Sequence, residues 1–297
     1  MHSGYVAVIG RANAGKSTLI NVLVGEKVTI VSPKPQTTRN AILGVLTKEE
    51  YQIVFVDTPG LYRAKTALSA AMNKTALSAA RDVDLVLFVH DGHAGLKDED
   101  VELIKRYSSG DIPVLIAYTK IDIMPRENIP GDIKKLYEAG VECDVFPVSA
   151  RKGINVKRLE EAIAAALPEG ERVISDDIVS DKSEKFMIAE IMREKILLKY
   201  DKEIPHGVAV VVNTFKKQEN GVYDINLDVV CEKPNHKAII IGRQGSALKH
   251  VSSFARGDME KFLGAKVFLT VYVKVKEGWR DRPDLMRDYG YDTKKEL

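Results

Sequence analysis

The chain has 297 residues, 45% hydrophobic and 29% charged, so it is long enough for two domains and has the composition of an ordinary globular protein. Lys and Arg total 44 against 42 Asp and Glu, and a net charge of +2 says nothing by itself about nucleic acid. The only cysteines, Cys143 and Cys231, lie far apart, which argues against a disulfide framework and for a reducing compartment.

Tyr5 to Ile9 reads as a strand almost at the start, leaving no room for a cleavable signal. Apolar runs such as Leu85 to Val89 and Pro113 to Tyr118 are too short to span a bilayer, and a cytosolic protein is expected. Directly after the first strand stands Gly10-Arg11-Ala12-Asn13-Ala14-Gly15-Lys16-Ser17. The spacing Gly-x4-Gly-Lys-Ser after a strand is the P-loop, whose glycines let successive backbone N–H groups turn on phosphates. Lys16 is expected to reach the terminal phosphates and Ser17 to offer an oxygen to magnesium, with the helix N-terminus adding positive potential. Gly10, Arg11, Asn13, Ala14 and Gly15 join them as nucleotide ligands, as does Thr18 beyond the motif.

Four further apolar runs, Ile53 to Val56, Asp84 to Val89, Val114 to Tyr118 and Val145 to Val148, alternate with amphipathic stretches. They predict a mostly parallel α/β sheet with helices on both faces. Asp57-Thr58-Pro59-Gly60 follows one strand, where a P-loop protein needs a carboxylate for the magnesium shell and a hinge that senses the γ-phosphate. The segment 65–80 repeats Lys-Thr-Ala-Leu-Ser-Ala-Ala and reads as a solvated helix, not a solenoid. Thr119-Lys120-Ile121-Asp122 ends another strand, and a carboxylate there can accept both N–H donors of a guanine edge. Ser149-Ala150-Arg151 closes the pocket.

A helix over Val156 to Leu167 ends the first domain, 1–170, and the polar stretch 171–182 is the linker. Residues 183–280 form a second, α+β domain that starts with a helix capped by Ser183, and 281–297 read as a polar tail. Its strands alternate at Val208-Val210-Val212, Ile225-Leu227-Val229 and Val267 to Val275. Before the last of them comes Ile240-Ile241-Gly242-Arg243-Gln244-Gly245, and between Glu232 and Arg280 ten basic residues face four acidic ones. The histidines show no metal-ligand spacing with either cysteine, and the acids at 98–100 and 160–161 read as helix surfaces.

The ordered motifs of the first domain resemble the translation-factor-related GTPases. Gly242 to Gly245, within a helix, strand, strand, helix, helix, strand order, resembles a type II KH domain. A P-loop GTPase domain followed by a type II KH domain is similar to the Era family of bacterial ribosome-assembly GTPases over nearly the whole chain. The resemblance implies GTP and GDP with Mg2+ as cofactors. It gives Thr38, in Gln36 to Asn40, contacts to magnesium and the γ-phosphate, and so a catalytic set of Lys16, Thr38, Asp57 and Gly60. It implies that the glycine loop, Gly242 to Gly245 with Gln244 within it, clamps the backbone of single-stranded RNA, with Arg243 and Lys249 on phosphate and Ile240, Ile241 and neighbouring strand residues lining a groove for the bases. The implied partners are 16S ribosomal RNA near its 3′ end and the 30S precursor, not DNA, with a peripheral fraction at the cytoplasmic membrane.

Two residues depart from the commonest pattern. Thr119 replaces an Asn, which puts one scaffold hydrogen bond in question while keeping Asp122. Leu61 stands where many relatives of Ras carry a water-orienting Gln, so slow hydrolysis is expected. Asn13 matches the position through which some such GTPases bind K+, and Arg39 is an in-cis alternative. The only tryptophan, Trp279, either stacks on a base or anchors the tail. Two other readings stay open: an RNA-binding module with little turnover, and a GTPase whose second domain docks a protein.

Overall fold

The computed structural model describes residues 1–60, 66–78, 82–124 and 128–291. The first domain is built on β1 (His2–Ile9), β2 (Ile42–Thr47), β3 (Tyr51–Asp57), β4 (Leu85–Asp91), β5 (Val114–Thr119) and β6 (Asp144–Pro147). Their order is β2-β3-β1-β4-β5-β6, parallel throughout except between β2 and β3. The apolar runs are covered on both faces: Val6 to Ile9 and Leu85 to Val89 are at most 1% exposed. Helices α1 (Lys16–Val24) and α5 (Val156–Ala166) pack on one face, α3 (Asp98–Ser108) and α4 (Asn128–Glu138) on the other. The chain steps from β1 to one side for β3 and to the other for β4, so a ligand crevice opens at the carboxyl end of β1.

Strand β2 is absent from the sequence reading. Gly44 breaks its apolar pattern, and the fold needs it, because a Cβ there would stand 3.1 to 3.2 Å from Val28, Ile20 and Val24. The linker does not hang free. Val45 N–H donates to Val179 O at 2.9 Å, and the fully buried Gln52 accepts from Val173 and Ile174 N–H and donates to Ile174 O. The linker thereby covers the edge strand β2, which would otherwise offer unpaired backbone groups.

The second domain runs α6 (Glu184–Lys199), β7 (Ala209–Lys217), β8 (Tyr223–Cys231), α7 (Pro234–Ile241), α8 (Ser246–Leu263) and β9 (Val267–Val275), in the expected order. Its sheet is β7-β8-β9, with β7 antiparallel and β9 parallel to β8. Ser183 Oγ accepts from Phe186 N–H at 3.2 Å and caps α6, as its position suggested. Ile188, Ile191, Met192 and Ile196 of α6 and Val251, Ala255 and Met259 of α8 cover one sheet face.

The stretch beyond Gly278 corrects the expectation of a polar tail. Through Tyr291 it is folded: a 3-10 turn at Trp279–Asp281 and α9 (Pro283–Asp288) bury Trp279, Met286 and Tyr291. These side chains meet Ala209 and Val230 of the second sheet and Leu68 and Met72 of α2 (Ala67–Ser78) in the first domain. The indole N–H of Trp279 donates to Gly207 O at 2.9 Å, so this ring is an anchor and has no face free for a base. Cys143 and Cys231 are both free thiols. Among the described residues, no helix is long and apolar enough to cross a membrane.

Candidate nucleotide site and glycine loop

The loop from β1 to α1 adopts backbone angles that its residue types dictate. Gly10 (φ +151°) lies where a Cβ would strike the carbonyl oxygen of Val89, and Gly15 (φ +95°) turns the chain into α1. Lys16 is 6% exposed, and its ammonium donates to the carbonyls of Gly10 and Arg11, each at 3.0 Å. Burial pushes its pKa down to about 8, against the pull of the Asp57 charge.

Asp57, at the end of β3, is fully buried, and its Oδ2 accepts from Ser17 Oγ (2.8 Å), Thr29 Oγ1 (3.0 Å) and Thr38 Oγ1 (3.3 Å). Ser17 Oγ and Thr38 Oγ1 are themselves 2.9 Å apart. The other carboxylate oxygen, Oδ1, is buried with no hydrogen-bond partner. Burial raises the pKa of Asp57, opposed first by Lys16. Two hydroxyls converging on a carboxylate with a spare buried oxygen fit a magnesium ion, which binds through few protein oxygens and completes its shell with phosphate and water. Among the described residues no group of three His, Cys, Asp or Glu could hold a metal alone. Thr29 has no motif to announce it, and the sequence reading missed it.

Gly60 approaches the P-loop so closely that a Cβ would lie 2.8 Å from Ala12 N and Cα. Thr58 Oγ1 donates to Val8 O at 2.8 Å and so anchors the strand end. Leu61 lies outside the described residues.

At the far end, the exposed Asp122 accepts from Ser149 Oγ at 2.7 Å, and that bond is the main cause holding its pKa below the usual carboxylate value. Lys120 bridges the halves of the site, donating to Asn13 O (2.8 Å) and pairing with Asp91 Oδ2 (2.5 Å). Thr119 Oγ1 lies 2.6 Å from Ala14 O and 3.0 Å from His90 O.

One cavity of about 510 Å³ unites these parts. Asn13, Gly15, Lys16, Ser17, Thr18, Thr38 and Gly60 line one part, and Thr119, Lys120, Asp122, Ser149, Ala150 and Arg151 line the remainder. Gly10, Ala14, Asp57, Thr58 and Pro59, expected at the nucleotide, are not among the residues that line this cavity. The Arg11 side chain turns out of the cavity: its guanidinium donates to Asp100 and, at 2.5 Å, to Glu99 on α3. Asp100 is 2% exposed, so it is a buried tether and not the helix surface expected of it. Asn13 Nδ2 donates to Pro33 O at 2.7 Å, which leaves its carbonyl oxygen for a cation.

Arg39 also departs from expectation. It points away from the phosphate end into the domain junction, 3% exposed, and donates to Val208 O (2.7 Å), Tyr291 OH (3.1 Å), Pro205 O (3.3 Å) and His206 O (3.1 Å). Neighbouring contacts follow the same path. Arg193 of α6 donates to Thr37 O, Glu194 accepts from Val31 N–H (2.9 Å) and Lys27 Nζ (2.7 Å), and Asp281 accepts from Ala67 N–H (2.8 Å). Both the 27–40 segment and α2 therefore rest on the second domain.

In the glycine loop, Gly242 (φ +72°) is required because a Cβ would stand 2.5 Å from Ala247 Cβ. Gln244 (φ +50°) and Gly245 (φ +77°) complete the left-handed turn, with Arg243, Gln244 and Lys249 exposed. Ile240 corrects the expectation of a groove residue: it is fully buried in the second core, and its carbonyl accepts from Tyr200 OH at 2.9 Å. Ile241 packs partly against that core, and Ile239, 51% exposed, is the outward isoleucine of the three.

Comparison with known proteins agrees with this geometry. Residues 5–120 match the family of 50S ribosome-binding GTPases, and 203–280 match the KH domain. GTPase Era of Clostridium kluyveri is 45% identical over 97% of this chain and 99% of its own length. GTPase Era of Caldanaerobacter subterraneus subsp. tengcongensis is 45% identical over 97% of each chain. A variant of Aquifex aeolicus Era bound to GDP·AlF4− superposes with a TM-score of 0.92 at 36% identity, covering 98% of this chain and 100% of that one. Era in complex with MgGDPNP and nucleotides 1506–1542 of 16S ribosomal RNA gives 0.93 at 37% identity, covering 98% and 99%.

Proposed function

The chain belongs to the Era family of GTPases, and we propose that it hydrolyses GTP as a switch while binding 16S ribosomal RNA near its 3′ end during assembly of the 30S subunit. The observation that carries this reading is the convergence of Ser17, Thr38 and Asp57 beside Lys16 in a cavity that also holds Asp122. In the reaction, water attacks the γ-phosphorus, the bond to the β-phosphate oxygen breaks, and GDP, phosphate and a proton leave. Lys16 neutralises charge growing on the terminal phosphates, and the Ser17 and Thr38 hydroxyls would hold a magnesium ion, which would shield that charge. Asp57 orients both hydroxyls. Asp122, kept ionised by Ser149, accepts from the guanine edge and selects the base. Gly60, which stands too close to the P-loop to carry a side chain, registers the γ-phosphate.

The 30S target rests on the 16S fragment bound by the Era relative, although the matched GTPase family takes its name from the 50S subunit. Arg243, Gln244 and Lys249 meet RNA phosphate around Gly242 and Gly245, and Ile241 and Ile239 offer apolar surface to bases. Because Thr38 stands beside Arg39, γ-phosphate contacts move a segment that is docked on the second domain, so nucleotide and RNA affinities are linked. Asn13, whose amide N–H is taken by Pro33 O, would help to hold a potassium ion, which would substitute for an arginine finger; equal turnover in sodium and potassium buffers removes that element. The protein is cytoplasmic with a peripheral membrane fraction, which cell fractionation tests. The main experiment is phosphate release with Lys16→Ala as control, and binding of a 16S 3′ fragment with Arg243→Asp/Gln244→Asp. Turnover equal to that of Lys16→Ala leaves only an RNA-binding module, and RNA binding unmoved by the double change leaves a protein-docking domain.

A further inference from the structure

Leu198 is a large apolar side chain left 51% exposed near the end of α6, in the second domain, yet it lines the cavity at the P-loop of the first. Its surroundings set it apart from a leucine scattered on a surface. Glu194, one turn earlier on the same face, accepts from Val31 N–H at 2.9 Å and from Lys27 Nζ at 2.7 Å. Asp201, just past the helix end, pairs with Lys34. Val31, Pro33 and Lys34 line the same cavity. Polar clamps at 194 and 201 thus hold the 27–34 segment against α6 on both sides of Leu198, and the leucine between them faces the ligand space with no protein cover over half its surface.

We propose that Leu198 is a nucleotide-contacting residue, so that the guanine nucleotide site is completed by the second domain and an apolar contact to the nucleoside slows release. The proposal rests on the reading of the cavity as a nucleotide site. It makes the rate of nucleotide release depend on α6 and not on the first domain alone.

The test uses the full chain and release of radiolabelled GDP, which carries no bulky probe on the ribose, from wild type, Leu198→Ala, Leu198→Asn and Leu198→Met. Leu198→Ala is expected to release GDP about three- to tenfold faster, Leu198→Asn at least as fast, and Leu198→Met within about twofold of wild type. The radius of gyration by small-angle scattering stays constant across the set. Release from Leu198→Ala and Leu198→Asn within twofold of wild type overturns the proposal. Faster release accompanied by an expanded radius also overturns it, because the leucine then acts on domain docking. Lys16→Ala separates the two readings: if it too leaves GDP binding unchanged, the cavity itself is misassigned.

Discussion

Replacing Arg39 by Ala should part the two domains while leaving each folded. The guanidinium comes from the first domain, and its acceptors, the carbonyls of Pro205, His206 and Val208 and the Tyr291 hydroxyl, belong to the second. It also lies 5.4 Å from the Tyr291 ring centroid and 5.9 Å from that of Trp279. A hydrogen bond from a charged donor contributes about 1.5–3 kcal/mol net, and a desolvated cation over an aromatic ring about 0.5–2 kcal/mol. These terms share one group and do not add, and undocking lets water reach the stranded carbonyls. The loss is therefore about 3–5 kcal/mol, as for a broken buried pair, or a factor from about 10² to several thousand in the docked population. Small-angle scattering should show a larger radius of gyration for Arg39→Ala, and its urea unfolding should split into two transitions. Arg39→Lys keeps the charge but not the fork and should fall between. An unchanged radius with a single transition at the wild-type midpoint would refute the role of Arg39 as the junction's main tie.

Other expectations follow from single groups. Thr119 has one hydroxyl proton for two carbonyls, so Thr119→Asn, with two N–H donors, should slow GDP release severalfold, by about 1 kcal/mol; equal release rates in stopped-flow exchange would count against it. Lys16, with its pKa depressed to about 8, is charged below that pH and neutral above it, whereas bound phosphates raise its pKa. Nucleotide binding at pH 9 should therefore take up a proton, which calorimetry in buffers of different ionisation enthalpy detects; buffer-independent heats contradict it. The same depression makes the nucleotide-free fold more stable as pH rises from about 8 towards the ordinary lysine value, and this contribution is lost as pH falls through 8. Trp279→Ala should cost about 3–5 kcal/mol in thermal unfolding yet leave RNA affinity of the folded protein within twofold, since the ring is wholly buried; a large loss of RNA affinity with unchanged stability reverses the assignment.

The parts of this molecule legible in its sequence are those whose chemistry is local. The P-loop, Asp57 and Asp122 each sit at the carboxyl end of a strand whose apolar run is itself readable, so motif and position reinforce each other. Strand β2 escaped because Gly44 interrupts its pattern and its antiparallel partner supplies the pairing. Ile240 and Ile239 differ only in the turn of a short helix, which composition cannot resolve. The junction was illegible for a stronger reason: Arg39, Arg193 and Glu194 find their cross-domain partners more than 150 residues away in sequence, and a charged side chain carries no sign of its own burial. The segment after Gly278 hid in the same way, with Trp279, Met286 and Tyr291 too widely spaced to show a period.

In the proposed switch, nucleotide state in the first domain is felt by the RNA-binding second domain through the docked 27–40 segment and α2. The measurement that tests it most directly is the dissociation constant for a 16S 3′ fragment with a GTP analogue and with GDP bound. The two constants are expected to differ by about fivefold or more, with the RNA shifting GTP affinity relative to GDP by the same factor. Identical constants in the two nucleotide states contradict it.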